Sequence, residues 1–278
     1  HDYGVTRIYS PENGRQLGLK GIIADMLQKT PISDSASANS SDPALPTCSF
    51  TPLKIAQALT RLELGSASLR AKLESRKATV VGITGPGGSG KSSLTDELIL
   101  RFLNKDPKCR IAVLAIDPTR KKTGGALLGD RMRMNSLSGP RCFMRSMATR
   151  QADVSLSRAT QDAIWLFNAV GFDWVFVETG GIGQADTSVV EHADISIYVM
   201  TNEFGAETQL EKINMLDYAH LVVLNKFDKG GSLDALYDVR KQLLRNHPEL
   251  EKIATDRIPV FATIASRFSD EGVDAVFQ

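Results

Sequence analysis

Residues 85 to 92, Gly85-Pro86-Gly87-Gly88-Ser89-Gly90-Lys91-Ser92, satisfy the pattern G-x-x-x-x-G-K-[ST]. Glycines let backbone amides turn inward around phosphate oxygens, and a helix opening at the lysine adds partial positive charge. Gly85, Gly87, Gly88, Ser89, Gly90, Lys91, Ser92 and Ser93 are the expected phosphate contacts. Lys91 is also a candidate catalytic charge, placed to neutralise β and γ phosphates, and the Ser92 hydroxyl is the expected Mg2+ ligand. The competing reading is a chance Gly-rich turn. An apolar strand just before the motif and a helical pattern over 92–103 argue against it.

A carboxylate is the natural companion of such a loop. The apolar run Trp174-Val175-Phe176-Val177 ends in Glu178-Thr179-Gly180-Gly181, which puts an acid where magnesium would be held, directly or through water. Gly181 can bring its amide to a γ-phosphate. The alternative is an acid that merely ends an edge strand. Asp117, after the run 111–116, and Asp130, in Gly129-Asp130-Arg131, are further acids for a metal shell. Taken alone, each reads as a cap or turn residue, because Asp is favoured in both places.

The third group is Asn225-Lys226-Phe227-Asp228, directly after the apolar run Leu221-Leu224. Asp228 can accept hydrogen bonds from N1 and the exocyclic amino group of guanine. Adenine would leave that carboxylate unpaired. Charge-assisted bonds of about 1.5 to 3 kcal/mol each support a preference of about a hundredfold. The Lys226 stem would cover the base plane, and Asn225 would brace neighbouring loops. Thr263-Ile264-Ala265-Ser266, following the last strand, offers backbone amides to the guanine oxygen, with Thr263 and Ala265 as the expected contacts. A plain loop beside an ATP site is the alternative.

These groups need a scaffold that brings strand ends together. Short apolar runs at 78–84, 111–116, 174–178, 195–200, 221–225 and 258–261, each followed by a turn and a helical pattern, predict an α/β fold. The sheet should be mainly parallel with helices on both faces, binding ligands beyond the carboxyl ends of its strands. A Leu-rich amphipathic helix is expected over 53–76, burying Ile55, Leu59, Leu62, Leu69 and Leu73. Residues 30–51, rich in Ser, Asp and Pro, read as a flexible linker. Before it, a turn at Ser10-Pro11-Glu12-Asn13-Gly14 and a helical pattern look like the last strand-turn-helix unit of a preceding domain. The domains are thus 1–29, the linker 30–51, and a P-loop domain over 52–278.

With 278 residues and 42% of them hydrophobic, the chain can bury a substantial core. Lys and Arg number 33 against 32 Asp and Glu, so bulk charge recruits neither nucleic acid nor an anionic membrane. No apolar run suits a bilayer span and the N-terminus lacks a secretory layout, so a soluble cytoplasmic or matrix protein is expected. Cys48, Cys109 and Cys142 are too scattered to suggest a disulfide framework or a zinc site. The chain opens on His1 and stops at Gln278 within a helical pattern, so both ends are expected to be cuts from a larger protein.

Together these residues resemble a specific family, the G-protein chaperones of cobalamin-dependent acyl-CoA mutases. The resemblance rests on the loop at Gly85–Ser92, on Asp117-Pro118-Thr119-Arg120 through Gly124-Gly125-Ala126-Leu127-Leu128-Gly129-Asp130-Arg131, on Glu178-Thr179-Gly180-Gly181-Ile182-Gly183-Gln184, and on Asn225–Asp228. The second and third blocks are the restrictive ones. The resemblance implies a Mg-GTP site with Ser92, Asp117, Asp130 and Glu178 around the metal. It also implies a first switch over 118–133, a second over 180–186, and a loop over 201–217 that signals to the mutase.

In members fused to their mutase, a cobalamin-binding domain of flavodoxin-like fold precedes the G domain and a substrate barrel follows it. Residues 1–29 resemble the end of that cobalamin domain. His1-Asp2-Tyr3-Gly4 reads H-x-x-G but stands too late in such a domain to be its cobalamin ligand. The implied function is a GTP hydrolase coupling nucleotide state to adenosylcobalamin loading or protection, with adenosylcobalamin itself not bound by this chain. Acyl-CoA mutase domains in cis and a homodimer are the expected partners. Gln184 is the candidate for orienting the attacking water, and Arg120, Lys121, Lys122 or Arg131 for the transition state, although such a basic run also reads as solvated surface. Rival readings are a nucleotide-gated binding module with negligible turnover, a P-loop ATPase or small-molecule kinase, and a metallochaperone GTPase. The last would be expected to carry His or Cys clusters, whereas the four His stand scattered at 1, 192, 220 and 247.

Overall fold

Strands buried on both faces must be apolar throughout, and this sequence supplies them. The computed structural model describes residues 7–29, 52–63, 78–118, 134–149, 153–179, 192–204, 210, 213–252 and 257–278. Seven strands form one sheet: β1 (Thr79–Thr84), β2 (Ile111–Pro118), β3 (Cys142–Thr149), β4 (Trp174–Thr179), β5 (Ile195–Met200), β6 (Leu221–Asn225) and β7 (Val260–Thr263). Their order is β3-β2-β4-β1-β5-β6-β7, and every pairing is parallel. Parallel pairing needs crossovers, and the described residues include the helices α3 (Lys91–Lys105), α4 (Asp153–Val170), α5 (Ser232–Asn246) and α6 (Glu271–Phe277). α2 (Pro52–Glu63) precedes β1, and α1 (Pro11–Lys29) lies near the N-terminus.

Side chains alternate across the sheet as the period of two requires. Val80, Leu114, Val175 and Val177 face a core shared with Ile55 and Leu59 of α2 and Phe167 of α4. Val81, Ile83, Val113 and Phe176 face the opposite core with Leu94 and Ile99 of α3 and Val273 of α6. β5 and β6 pack Met200, Val222 and Leu224 against Val239 and Leu243 of α5. Phe167 and Phe172 meet edge to face at 5.5 Å between ring centroids. Burying such rings supplies about 1.5 to 3 kcal/mol each.

Three predicted boundaries change. β3 has no counterpart among the predicted strands, because Cys-Phe-Met-Arg-Ser-Met-Ala-Thr offers neither clean alternation nor a β-branched run. Among the described residues it is an edge strand pairing with β2 alone, Ile111 opposite Cys142 through Pro118 opposite Thr149. β7 begins at Val260 rather than Ile258. Pro259 has no amide to donate, and only its carbonyl joins the sheet, accepting from Val222 at 2.9 Å. Ser10–Gly14 is a helix start, not a turn. The Asn13 amide donates to Ser10 Oγ at 3.2 Å and the Ser10 amide to Asn13 Oδ1 at 3.1 Å, a reciprocal cap, with Pro11 at the first helical position.

The chain divides into two units, His1–Pro43 and Ala44–Gln278. In the first, residues 7–10 form no strand, and α1 is interrupted at Gly18, whose φ of 61° no helix accepts. Tyr9 donates its hydroxyl to Asp25 at 2.7 Å, which holds the phenol above its ordinary pKa. The expected linker 30–51 lies outside the described residues, as does the expected continuation of α2 past Glu63 with Leu69 and Leu73. In the second unit, Cys109 and Cys142 are free and buried, and burial pushes the Cys109 thiol up to about 11. Among the described residues no helix is long and apolar enough to cross a membrane.

Candidate nucleotide site

Parallel strands all present their carboxyl ends on one edge, so the ends of β1, β2, β4, β6 and β7 gather there. β1, in the interior of the sheet between β4 and β5, delivers the loop. Gly85 follows Thr84 with φ +144°, and a Cβ there would run into the Val199 carbonyl of β5. Gly90 takes φ +93°, and a Cβ there would strike the Asn225 side-chain amide. Both positions therefore require glycine, for backbone conformation and for room. The Ser89 amide donates to the Pro86 carbonyl at 3.2 Å, closing the loop before α3 starts.

α3 has no side-chain cap and no acid in its first turn, which suits an anion at its N-terminus. Lys91 is buried, and its ammonium donates to the Gly85 carbonyl at 2.9 Å and the Pro86 carbonyl at 3.1 Å. One residue on, Ser92 Oγ donates to Glu178 Oε1 at 2.6 Å. Thr95 Oγ1 donates to the Lys91 carbonyl at 2.9 Å and lies 3.4 Å from the other carboxylate oxygen of Glu178. Glu178, the penultimate residue of β4, thus sits, only 6% exposed, against the first turn of α3. A hydroxyl beside a carboxylate is a pair of hard oxygen donors and fits a magnesium ion.

Two hydroxyls the sequence reading did not single out belong to this arrangement. Thr95 stands one helical turn beyond Lys91, and that spacing is its only sequence signal. Thr179 donates to Thr84 at 2.9 Å across the paired strands, linking the residue before Gly85 to the residue after Glu178. That contact depends on the pairing of Ile83 with Glu178, which no local pattern reveals.

One side chain joins the loops after β1, β6 and β7. Asn225, 3% exposed at the end of β6, donates from Nδ2 to the Ser89 carbonyl at 2.8 Å. Its Oδ1 accepts from the Thr263 hydroxyl at 3.1 Å and the Ala265 amide at 3.0 Å. The sequence reading gives Thr263 and Ala265 to the base; in the structure that hydroxyl and that amide are bonded to Asn225. The Phe227 amide donates to the Thr263 carbonyl at 3.1 Å, so the two loops run side by side. Lys226 holds φ +58°, which turns the chain so that Asp228 is exposed. Asp117 stands at the end of β2, one residue past the pairing of Ile116 with Thr179. The side chain of Asp117 lies outside the described residues, as do Asp130, Gly180, Gly181, Gln184, the run Arg120–Lys122 and Arg131.

Comparison with known proteins gives these features a family context. The family described as methylmalonyl-CoA mutase-associated GTPase MeaB matches residues 59–278. Fused isobutyryl-CoA mutase of Geobacillus kaustophilus is 49% identical over 290 residues, covering 100% of this chain and 26% of its own length. The fused isobutyryl-CoA mutase of Cupriavidus metallidurans is 50% identical, covering 99% of this chain and 26% of its own length. The chain therefore spans about a quarter of these relatives. Among solved structures, a LAO/AO transport system kinase superposes with a TM-score of 0.58 over 84% of this chain and 70% of its own, at 23% identity. That likeness concerns the fold alone.

Proposed function

Because the chain belongs to the MeaB family of methylmalonyl-CoA mutase-associated GTPases, we propose that it binds Mg-GTP at the edge formed by β1, β4, β6 and β7 and hydrolyses it to drive a mutase-coupled switch. The observation that carries this reading is the Asn225 side chain, which joins the phosphate loop at Ser89 to the loop after β7. One residue thereby fixes the spacing between the phosphate half and the base half of a nucleotide site.

The roles follow from the chemistry of each group. Backbone amides of the loop, Pro86 excepted, donate to phosphate oxygens, and the Lys91 ammonium exchanges its neutral carbonyl partners for anionic β and γ oxygens. Ser92 and Glu178, with Asp117 and Asp130, would hold magnesium, which when bound withdraws charge from the phosphates. Asp228 accepts from the guanine edge and Lys226 covers the ring. Water adds to the γ-phosphorus as the bond to the β–γ bridging oxygen breaks, and the lysine and the loop amides offset the charge on that leaving oxygen. Gln184 is the proposed water-orienting residue, and Gly181 donates its amide to the γ-phosphate.

By its likeness to fused isobutyryl-CoA mutases, the domain is proposed to act on acyl-CoA mutase domains in cis, as a cytoplasmic homodimer. There it couples nucleotide state to adenosylcobalamin loading or protection, and the mutase active site lies outside this chain. Single-turnover hydrolysis, with and without an acyl-CoA mutase partner, tests the proposal. Wild type should release phosphate and Lys91→Ala should not, while Asp228→Ala should lose the preference for GTP over ATP. Absence of phosphate release with and without partner would leave a nucleotide-gated binding module instead.

A further inference from the structure

Between β7 and α6 the chain makes a short turn that is tied through Ile264, Ala265, Arg267 and Asp270. The Ile264 amide donates to Asp270 Oδ2 at 3.1 Å, and the same oxygen caps α6 by accepting from the Val273 amide at 3.0 Å. The Arg267 amide donates to the Ile264 carbonyl at 2.8 Å, and Ser269 is held at φ +54°. Ala265 is buried and tied to Asn225. α6 packs so tightly on β7 that a Cβ at Gly272 would collide with the Ala262 carbonyl. On this fixed frame stands Phe268, 84% exposed.

A phenyl ring presented to water by a rigid turn calls for a partner. The sheet cannot supply it, because the frame holds Phe268 outside the core. The neighbouring base-reading loop contains one aromatic, Phe227, and that ring is packed against the core cluster of β5, β6 and α5. Asp228 can read only the edge of a purine and Lys226 can cover one face, so among the described residues of this loop no ring is free to cover the other face. The turn carrying Phe268 runs beside residues 225–228, joined to them through the Ala265 amide and the Thr263 carbonyl. We propose that Phe268 is the second wall of the base site, stacking on the purine face opposite Lys226. The proposal rests on the guanine-nucleotide reading given above.

Stacking is tolerant of base identity, so Phe268 should set affinity while Asp228 sets the choice of base. The test is titration of the magnesium-containing chain with GDP and with ADP, for wild type, Phe268→Ala, Phe268→Trp and Asp228→Ala. Phe268→Ala should weaken GDP about tenfold and leave the ratio of GDP to ADP affinity unchanged. Phe268→Trp should bind GDP as wild type does, with an emission component absent from wild type that GDP quenches. A Phe268→Ala affinity within about twofold of wild type, or an added indole emission in Phe268→Trp that saturating GDP does not change, overturns the proposal and leaves the GTPase reading intact. Failure of wild type itself to bind GDP would instead remove the guanine reading and this proposal with it.

Discussion

Glu178 shows how much one buried carboxylate can be asked to do. It accepts from Ser92 at 2.6 Å, has Thr95 beside its other oxygen at 3.4 Å, and stands one residue before the end of β4, which pairs with β1. Glu178→Gln keeps the volume and one acceptor oxygen, turns the other into an amide donor and removes the charge. The variant should fold as wild type, yet magnesium-dependent GTP affinity should fall about tenfold or more, read by titration with and without chelator. An unchanged magnesium dependence would exclude Glu178 from the metal shell. The positions of the loop glycines, Lys91, Ser92, Glu178 and Asn225 at neighbouring strand ends were legible because they depend on neighbours in sequence: a loop that needs positive φ, or an acid close behind an apolar run. Thr95, Thr179 and Phe268 were not, because what places them is strand register, helix phase and the bracing of a turn.

At the scale of elements, the sheet was readable wherever burial on both faces forced an unbroken apolar run, and β5 and β6 fell on their predicted boundaries. The edge strand β3 escaped because pairing on one side places weaker demands on composition. The turn after β7 is held by Asp270, which serves as helix cap and loop tie with the same oxygen. Asp270→Ala should lower stability by about 1 to 2 kcal/mol in urea unfolding. Because the turn also carries Ala265, the same substitution should weaken nucleotide binding, whereas Asp270→Asn, which keeps an acceptor, should recover much of both. A loss of stability with unchanged nucleotide affinity would mean that the turn does not support the base site.

For the molecule as a whole, the site belongs to the unit Ala44–Gln278, and α1 lies in the other. Binding that favours the folded state stabilises by about 2.7 kcal/mol at a hundredfold excess over Kd. Hydrogen exchange with Mg-GDP should therefore slow at 85–93, 225–228 and 263–270, and remain unchanged over residues 11–29. Uniform protection of both units would contradict this division. The order of the strands has a consequence for synthesis on the ribosome. The loop at Gly85–Ser92 emerges before its partners, since the Thr179–Thr84 link spans 95 residues of chain and the Asn225–Ser89 bond spans 136. Loop closure over such lengths delays assembly. A nascent chain thus carries the loop sequence long before it carries the contacts that brace it, and the bonds from Asn225 to the turn after β7 form only once β7 has left the exit tunnel.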